Sequence, residues 1–236
     1  MTATKPSFDE HVESYEEAVR KAIAFSGHDH DFFIEAKTQA LIELVRRRLG
    51  DPGSVSALDV GCGPGLTDRF LVPQVGRLEG VDVAEGMISR ARRANPGVRY
   101  EWYDGTRLPY ADGSFDVSFA SCVFHHIAQG ERTHLLGEMG RVTRPGGLVV
   151  VFEHNPLNPL TRRVVRRCEF DDEDVALIRR GPMAGLFEAA GLRVAETRFL
   201  LFFPSRSPLL AAVEQRLAWL PLGAQYLVAG TSTIDR

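Results

Sequence analysis

Apolar and polar residues alternate along this chain with two periods, and each change of period marks an element. Residues 9–26 and 32–49 carry helical spacing; in the second stretch Phe33, Ala36, Lys37, Ala40, Leu41 and Leu44 fall on one face. A Gly-Asp-Pro-Gly-Ser turn at 50–54 stops that helix. Short apolar runs then predict strands at Ser56–Val60, Arg77–Val81, Arg99–Tyr103, Phe115–Ala120 and Gly147–Phe152. Between them, helical spacing predicts helices at Thr67–Val72, Gly86–Ala94 and Ala128–Val142. Strands alternating with helices make βαβ units, whose right-handed crossovers give a doubly wound, parallel sheet.

After Phe152 the rhythm changes. Residues 154–174 contain two Asn-Pro steps and predict loop. A helix at Met183–Ala190, a strand at Leu192–Phe203, an amphipathic insert at Leu209–Leu220 and a final strand at Gln225–Ala229 follow. The expected architecture is a Rossmann-like α/β fold: a doubly wound, seven-stranded, mostly parallel sheet with its last strand antiparallel. Residues 1–50 are expected to form an N-terminal helical lid over residues 51–236, with substrate-side insertions at 153–182 and 204–224.

Composition narrows the class. The 236 residues are 44% hydrophobic and 25% charged, with a net charge of −3, so no global basic field points to nucleic acid. Cys62, Cys122 and Cys168 are too scattered for a disulfide framework or a zinc site, and no metal is expected. The start of the chain, polar and acidic, resembles neither a signal nor a transit peptide. No apolar run approaches the roughly 20 residues of a membrane span. A cytoplasmic protein without stable membrane insertion is expected, its oligomeric state open.

The chemistry starts at LDVGCGPG, residues 58–65, where the first strand turns into the first crossover helix. In an open α/β sheet that turn borders the ligand crevice. Gly61, Gly63 and Gly65 let a flat, polar ligand lie against backbone. Asp82 ends the second strand, where a carboxylate accepts from both hydroxyls of a ribose. Asp104 ends the third, within reach of an adenine amino group. Dinucleotide enzymes are the rival reading, but their third glycine falls at Leu66, and Asp59 would repel a pyrophosphate while suiting an ammonium.

LDVGCGPG, GVDVAEGM, YDGTRLPYADGSFDV and RVTRPGGLVVV, in this order over residues 56–152, resemble the class I S-adenosylmethionine-dependent methyltransferases of small-molecule type. The resemblance implies S-adenosyl-L-methionine as cofactor and S-adenosyl-L-homocysteine as product. It further implies that Gly61, Gly63 and Gly65 pass under the methionine part, with Asp59 near its ammonium and Asp82 on the ribose. Val83 and Met87 would cover the adenine faces, Asp104 and Gly105 its edge, and Ser121 the sulfonium end. Tyr15 and Lys37 would reach the cofactor from the lid, Lys37 as partner of the methionine carboxylate.

Methyl transfer from a sulfonium needs in-line positioning, and a hydroxyl acceptor also needs a base. His125 and His126, just past the fourth strand, and His154, past the fifth, are the candidates, each also readable as a packing or loop residue. Glu153 could instead orient an acceptor hydroxyl or amine. His28 and His30 in GHDHD tempt a metal reading, but no third ligand is close in sequence. Arg162, Arg163, Arg166 and Arg167 would share a helix face, either solvated or suited to an anionic acceptor. The insert bearing Trp219 would cover the pocket or dock on a membrane surface. The expected function is O-methylation of a small-molecule acceptor in biosynthesis. N- or C-methylation, or a binding module of the same fold without chemistry, are the alternatives.

Overall fold

The computed structural model describes residues 15–24, 27–167 and 176–232. Seven strands form one sheet: β1 Ser56–Val60, β2 Arg77–Asp82, β3 Arg99–Trp102, β4 Phe115–Ser121, β5 Thr143–His154, β6 Leu192–Leu200 and β7 Gln225–Ser232. Their order is β3-β2-β1-β4-β5-β7-β6. β1 pairs in parallel with β2 and β4, β2 with β3, and β4 with β5, while β7 runs antiparallel between β5 and β6. The expected sheet, antiparallel last strand included, is the one observed.

The period-two alternation of the strands sorts side chains onto two faces. On β5, Leu148, Val150 and Phe152 join one core cluster, and Val149 and Val151 the other. The first face is covered by α2 (His30–Arg48), α3 (Asp68–Leu71) and α4 (Glu85–Ala94), which bring Leu41, Leu44, Leu71, Ile88 and Ala91. The second is covered by α5 (Arg132–Val142) and α7 (Arg180–Ala189), through Leu136, Met139, Met183 and Phe187. The C-terminal half of α2 is thus a layer of the core, and only its beginning reaches the rim. Asp29 starts it by accepting from the amide of Phe32 at 2.9 Å, and Arg46, Arg47 and Arg48 close it at the negative end of its dipole. α1 (Tyr15–Ile23) lies against α2 and α6.

Two local expectations need correction. Part of the segment expected as loop is helix: Asn158 accepts from the amides of Leu160 and Thr161, Pro159 fills the first helical position, and α6 runs Pro159–Val165. That Asn-Pro step is a helix start, since proline's missing donor costs nothing there. β5 begins at Thr143, not Gly147, because a bulge between Phe115 and Val117 lets pairing resume past Arg144, Pro145 and Gly146. The insert expected at 209–220 forms α8, Pro208–Leu217.

Candidate active site

The carboxyl ends of β1, β2 and β4 form one rim, as a doubly wound sheet requires. Gly61, Gly63 and Gly65 all hold left-handed backbone, with φ of 77°, 53° and 75°, so the loop's path demands glycine at each. Their surroundings differ. A Cβ on Gly61 would meet Val123 at 2.7 Å, and one on Gly65 would meet Asn95 and Tyr100 at 2.6 and 2.8 Å. A Cβ on Gly63 would meet nothing within 4 Å. Gly61 and Gly65 are therefore explained by packing, and Gly63 alone faces open space.

Beneath the loop lies a polar network that sequence reasoning missed. Asn95 donates to the carbonyl of Gly65 and to the Tyr100 hydroxyl, each at 3.0 Å, and Tyr100 donates to Asp68 at 2.6 Å. Asp68 in turn shares a hydrogen bond with Asp59. Asp59 is only 2% exposed, and its Oδ1 has no protein partner. Burial, then the neighbouring Asp68 and Asp82, hold the Asp59 carboxyl well above the usual range, with Lys37 pulling the other way. Burial also pushes Asp68 up to about 6. Asp59 is a buried acid bonded to another, not a carboxylate lying open in the crevice. The signal was available, since Asp68 follows the loop and Tyr100 is the one inward tyrosine of β3.

Asp82 binds both sides of the rim: one oxygen accepts from the amide of Gly63 at 2.8 Å, the other from Ala84 at 2.9 Å. A carboxylate has about four lone-pair sites and can accept more than one donor on each oxygen. Val83 is 37% exposed and Trp102, at the end of β3, 46%; the Trp102 indole donates to the Val83 carbonyl at 2.9 Å. Met87 is buried, so the exposed apolar ledge is Val83 with Trp102, and Met87 offers no open face. Asp104 is exposed and spends Oδ1 on the amide and hydroxyl of Thr106, which hold its carboxyl below the usual range. Gly105 beside it has a φ of 83°. Tyr15 begins α1, and its side chain lies outside the described residues.

The remaining candidates gather at the ends of β4 and β5. Ser121 closes β4 with its Oγ buried and without a protein partner. Cys122 follows at φ 58°, a left-handed conformation that costs a non-glycine residue about 1–2 kcal/mol; its amide donates to Phe152 at 2.8 Å. A 3-10 turn, Phe124–His126, carries the two histidines. His125 is buried, with Nδ1 2.8 Å from Oε2 of Glu153, while the His125 amide donates to Oε1 at 3.3 Å. Burial alone would push Glu153 up, but His125 and then His154 outweigh it and hold the carboxyl at about 2. The His125 ring packs against His126 at 4.0 Å and His154 at 5.2 Å between centroids. All three candidate histidines thus form one group around one buried carboxylate.

Lys37 reaches this group from α2, its Nζ 3.8 Å from Cys122 Sγ. Gln225, at the start of β7, places Nε2 3.5 Å from the same sulfur and 3.4 Å from His154 Nδ1. His30 lies nearby; burial, then Lys37 and Arg69, lower it to about 4. His28 sits apart, its Nε2 2.6 Å from the carbonyl of Pro204 and its ring stacked on Phe32. Arg162, Arg163, Arg166 and Arg167 are exposed on and after α6, and Trp219 is exposed beyond α8.

Comparison with known proteins agrees with this fold. Residues 58–151 match the family model of a methyltransferase domain. Over 100 residues the chain is 41% identical to an uncharacterized methyltransferase of Mycobacterium sp. (strain JLS), covering 42% of this chain and 39% of that one. It is 35% identical over 105 residues to a demethylmenaquinone methyltransferase of Beutenbergia cavernae, covering 44% and 43%. The match thus spans less than half the length of either relative. A SAM-dependent methyltransferase from Thermotoga maritima superposes with a TM-score of 0.67 over 98% of this chain and 100% of its own, at 20% identity, a likeness of fold. The fold is that of the S-adenosylmethionine-dependent methyltransferases, and residues 58–151 carry their domain. Among the described residues no helix is long and apolar enough to cross a membrane.

Proposed function

We propose that this chain is an S-adenosylmethionine-dependent methyltransferase that methylates a hydroxyl of a small organic acceptor, with His125 as the base. The observation that carries the reading is the 2.8 Å contact between His125 Nδ1 and the buried carboxylate of Glu153. An ionised carboxylate on Nδ1 favours the proton there and orients the ring, as a base requires. It also stabilises the imidazolium that forms when the acceptor hydroxyl loses its proton.

The rim fits the cofactor at four points. Gly63 offers the open floor, and Asp82, at the end of β2, is the carboxylate for the ribose hydroxyls. The partnerless Oδ1 of Asp59 suits an ammonium donor, and the Val83–Trp102 ledge suits an aromatic base. When bound, S-adenosylmethionine supplies an electrophilic methyl on its sulfonium. Lys37 would meet the methionine carboxylate, and Ser121 Oγ would flank the sulfonium end. Asp104 and Gly105 border the adenine edge. The beginning of α2, with residues 153–182 and 204–224, would shape the acceptor's side of the crevice, where exposed arginines favour an anionic group. A similar protein named for demethylmenaquinone methylation supports a small-molecule acceptor. The deciding experiment supplies radiolabelled S-adenosylmethionine with panels of phenols, enols, amines and carboxylic acids. Transfer to hydroxyl compounds, lost in His125→Ala, is expected; transfer confined to amines would overturn the oxygen reading.

A further inference from the structure

Cys122 has surroundings that the proposed methyl transfer does not use. It follows the last residue of β4 in left-handed backbone, a conformation shared among the described non-glycine residues only with Leu201. Its N–H bond to Phe152 fixes that geometry and sets Sγ among nitrogen groups. Lys37 Nζ lies 3.8 Å from the sulfur and Gln225 Nε2 3.5 Å, and His154 hydrogen-bonds to it. Lys37 is 7% exposed, so a buried cation is spent on a thiol. Gln225 is likewise 7% exposed, and its Oε1 has no partner. The amide therefore offers an idle buried acceptor beside the sulfur, ready for an added hydroxyl.

The charge balance agrees. Burial raises a thiol's pKa, but His154 and then Lys37 outweigh burial here and bring Cys122 down to about 7. Cys62 in the same crevice has acids as its charged neighbours: burial, then Asp82, Asp68 and Asp59, raise it well above the ordinary value. Two cysteines on one rim are thus set apart in reactivity, and Cys122, the less buried of the two, is the nucleophile.

We propose that Cys122 is a site of reversible oxidation by peroxide, built by Lys37, His154 and Gln225, and that its oxidation weakens cofactor binding. In the step, the thiolate sulfur attacks one peroxide oxygen, an S–O bond forms and the O–O bond breaks. The sulfur loses two electrons to the peroxide, and the departing hydroxide takes a proton to become water. The sulfenic hydroxyl then has the idle Oε1 of Gln225 as acceptor. A thiol reductant restores the cysteine by way of a mixed disulfide, releasing water. The effect on the cofactor rests on the function proposed above, because the added oxygen would stand beside Lys37 in the space where the methionine carboxylate should meet it.

The test has two readouts. Iodoacetamide labelling of the folded protein, followed by peptide mass against pH, should give Cys122 a midpoint near pH 7, with Cys62 unlabelled. Lys37→Met should move that midpoint upward. After peroxide, a sulfenate-specific dione should mark the Cys122 peptide, and dithiothreitol should prevent the mark. A midpoint at the ordinary thiol value of about 8.5, or no mark on Cys122, overturns the proposal. Calorimetry with S-adenosylhomocysteine should show at least tenfold weaker binding after peroxide, reversed by reductant and absent in Cys122→Gly, which suits the left-handed backbone. Unchanged affinity of a fully marked protein overturns the coupling to the cofactor. A protein that labels as expected but never binds S-adenosylhomocysteine sinks the methyltransferase reading and leaves the oxidation site standing.

Discussion

Asp59 and Asp68, one from β1 and one from α3, share a hydrogen bond at the root of the glycine loop. Two carboxyls this close and this buried hold one proton between them at neutral pH. Their folded pKa values lie above the unfolded ones, so the pair's contribution is whole below about pH 4 and is lost as pH rises through the folded values. Asp68 sits at about 6, with Asp59 well above its usual range. The protein without cofactor should therefore lose melting temperature from about pH 4 upward relative to Asp59→Asn. Thermal melts of both proteins across pH check this; parallel curves would exclude a shared proton.

The same proton should leave when a positive group arrives. An ammonium placed on Asp59 favours the ionised carboxyl, so S-adenosylhomocysteine binding should release part of one proton near neutral pH and tighten as pH rises. Calorimetry in two buffers of different ionisation enthalpy reads the proton directly. Binding enthalpies independent of buffer would place the ammonium elsewhere.

Gly63 and Gly65 should fail in different ways. Alanine at either position meets a left-handed backbone, at about 1–2 kcal/mol. At Gly65 it also meets Asn95 and Tyr100, and overpacking adds about 1–3 kcal/mol. Gly63→Ala should stay folded, as judged by urea denaturation, yet lose cofactor affinity, while Gly65→Ala should lose stability first. Normal cofactor affinity in Gly63→Ala would mean that the loop exists for its turn alone.

Asp82→Ala removes two charge-assisted acceptors from the loop and those proposed for the ribose. Cofactor affinity should fall by about 1.5–3 kcal/mol, the range for hydrogen bonds to a charged group. Affinity within error of the parent protein would dismiss Asp82 as the ribose partner.

His125→Ala should lower turnover by about 10²- to 10⁴-fold with cofactor affinity nearly unchanged, as loss of a general base does. Glu153→Gln, which keeps the shape but not the charge, should lower kcat more than KM. It should matter less for acceptors whose hydroxyl is already acidic. Equal losses for all acceptors would make Glu153 a structural residue only.

The sheet was legible because its strands switch faces every residue and its helices do not, and buried strands such as Leu148–Phe152 leave no other reading. Contacts between distant segments were less legible. Asp59 read as a partner for ligand charge, but its protein partner Asp68 approaches only once α3 has packed. Met87 read as a ligand surface through the family resemblance; the helix turns it inward, and Trp102 from the neighbouring strand takes the exposed place. Asn158-Pro159 read as a break, where the side-chain cap makes it a beginning. The histidines read as rivals, and the fold makes them neighbours around Glu153.

The place of β7 bears on how the chain is made. Its residues Gln225–Ser232 pair with β5 on one side and β6 on the other, so the last of these seven strands to be synthesised stands inside the sheet. While the ribosome is still extending the chain past residue 200, β1 to β5 can already pair, but β5 keeps an open edge and β6 has no strand to lie against. The edge of β5 is Leu148–Phe152, wholly apolar, a template for stray strands while it waits. The most exposed moment of this protein's life therefore falls between the emergence of β5 and that of β7, and His154 and Gln225 pair across the rim only once that gap has closed.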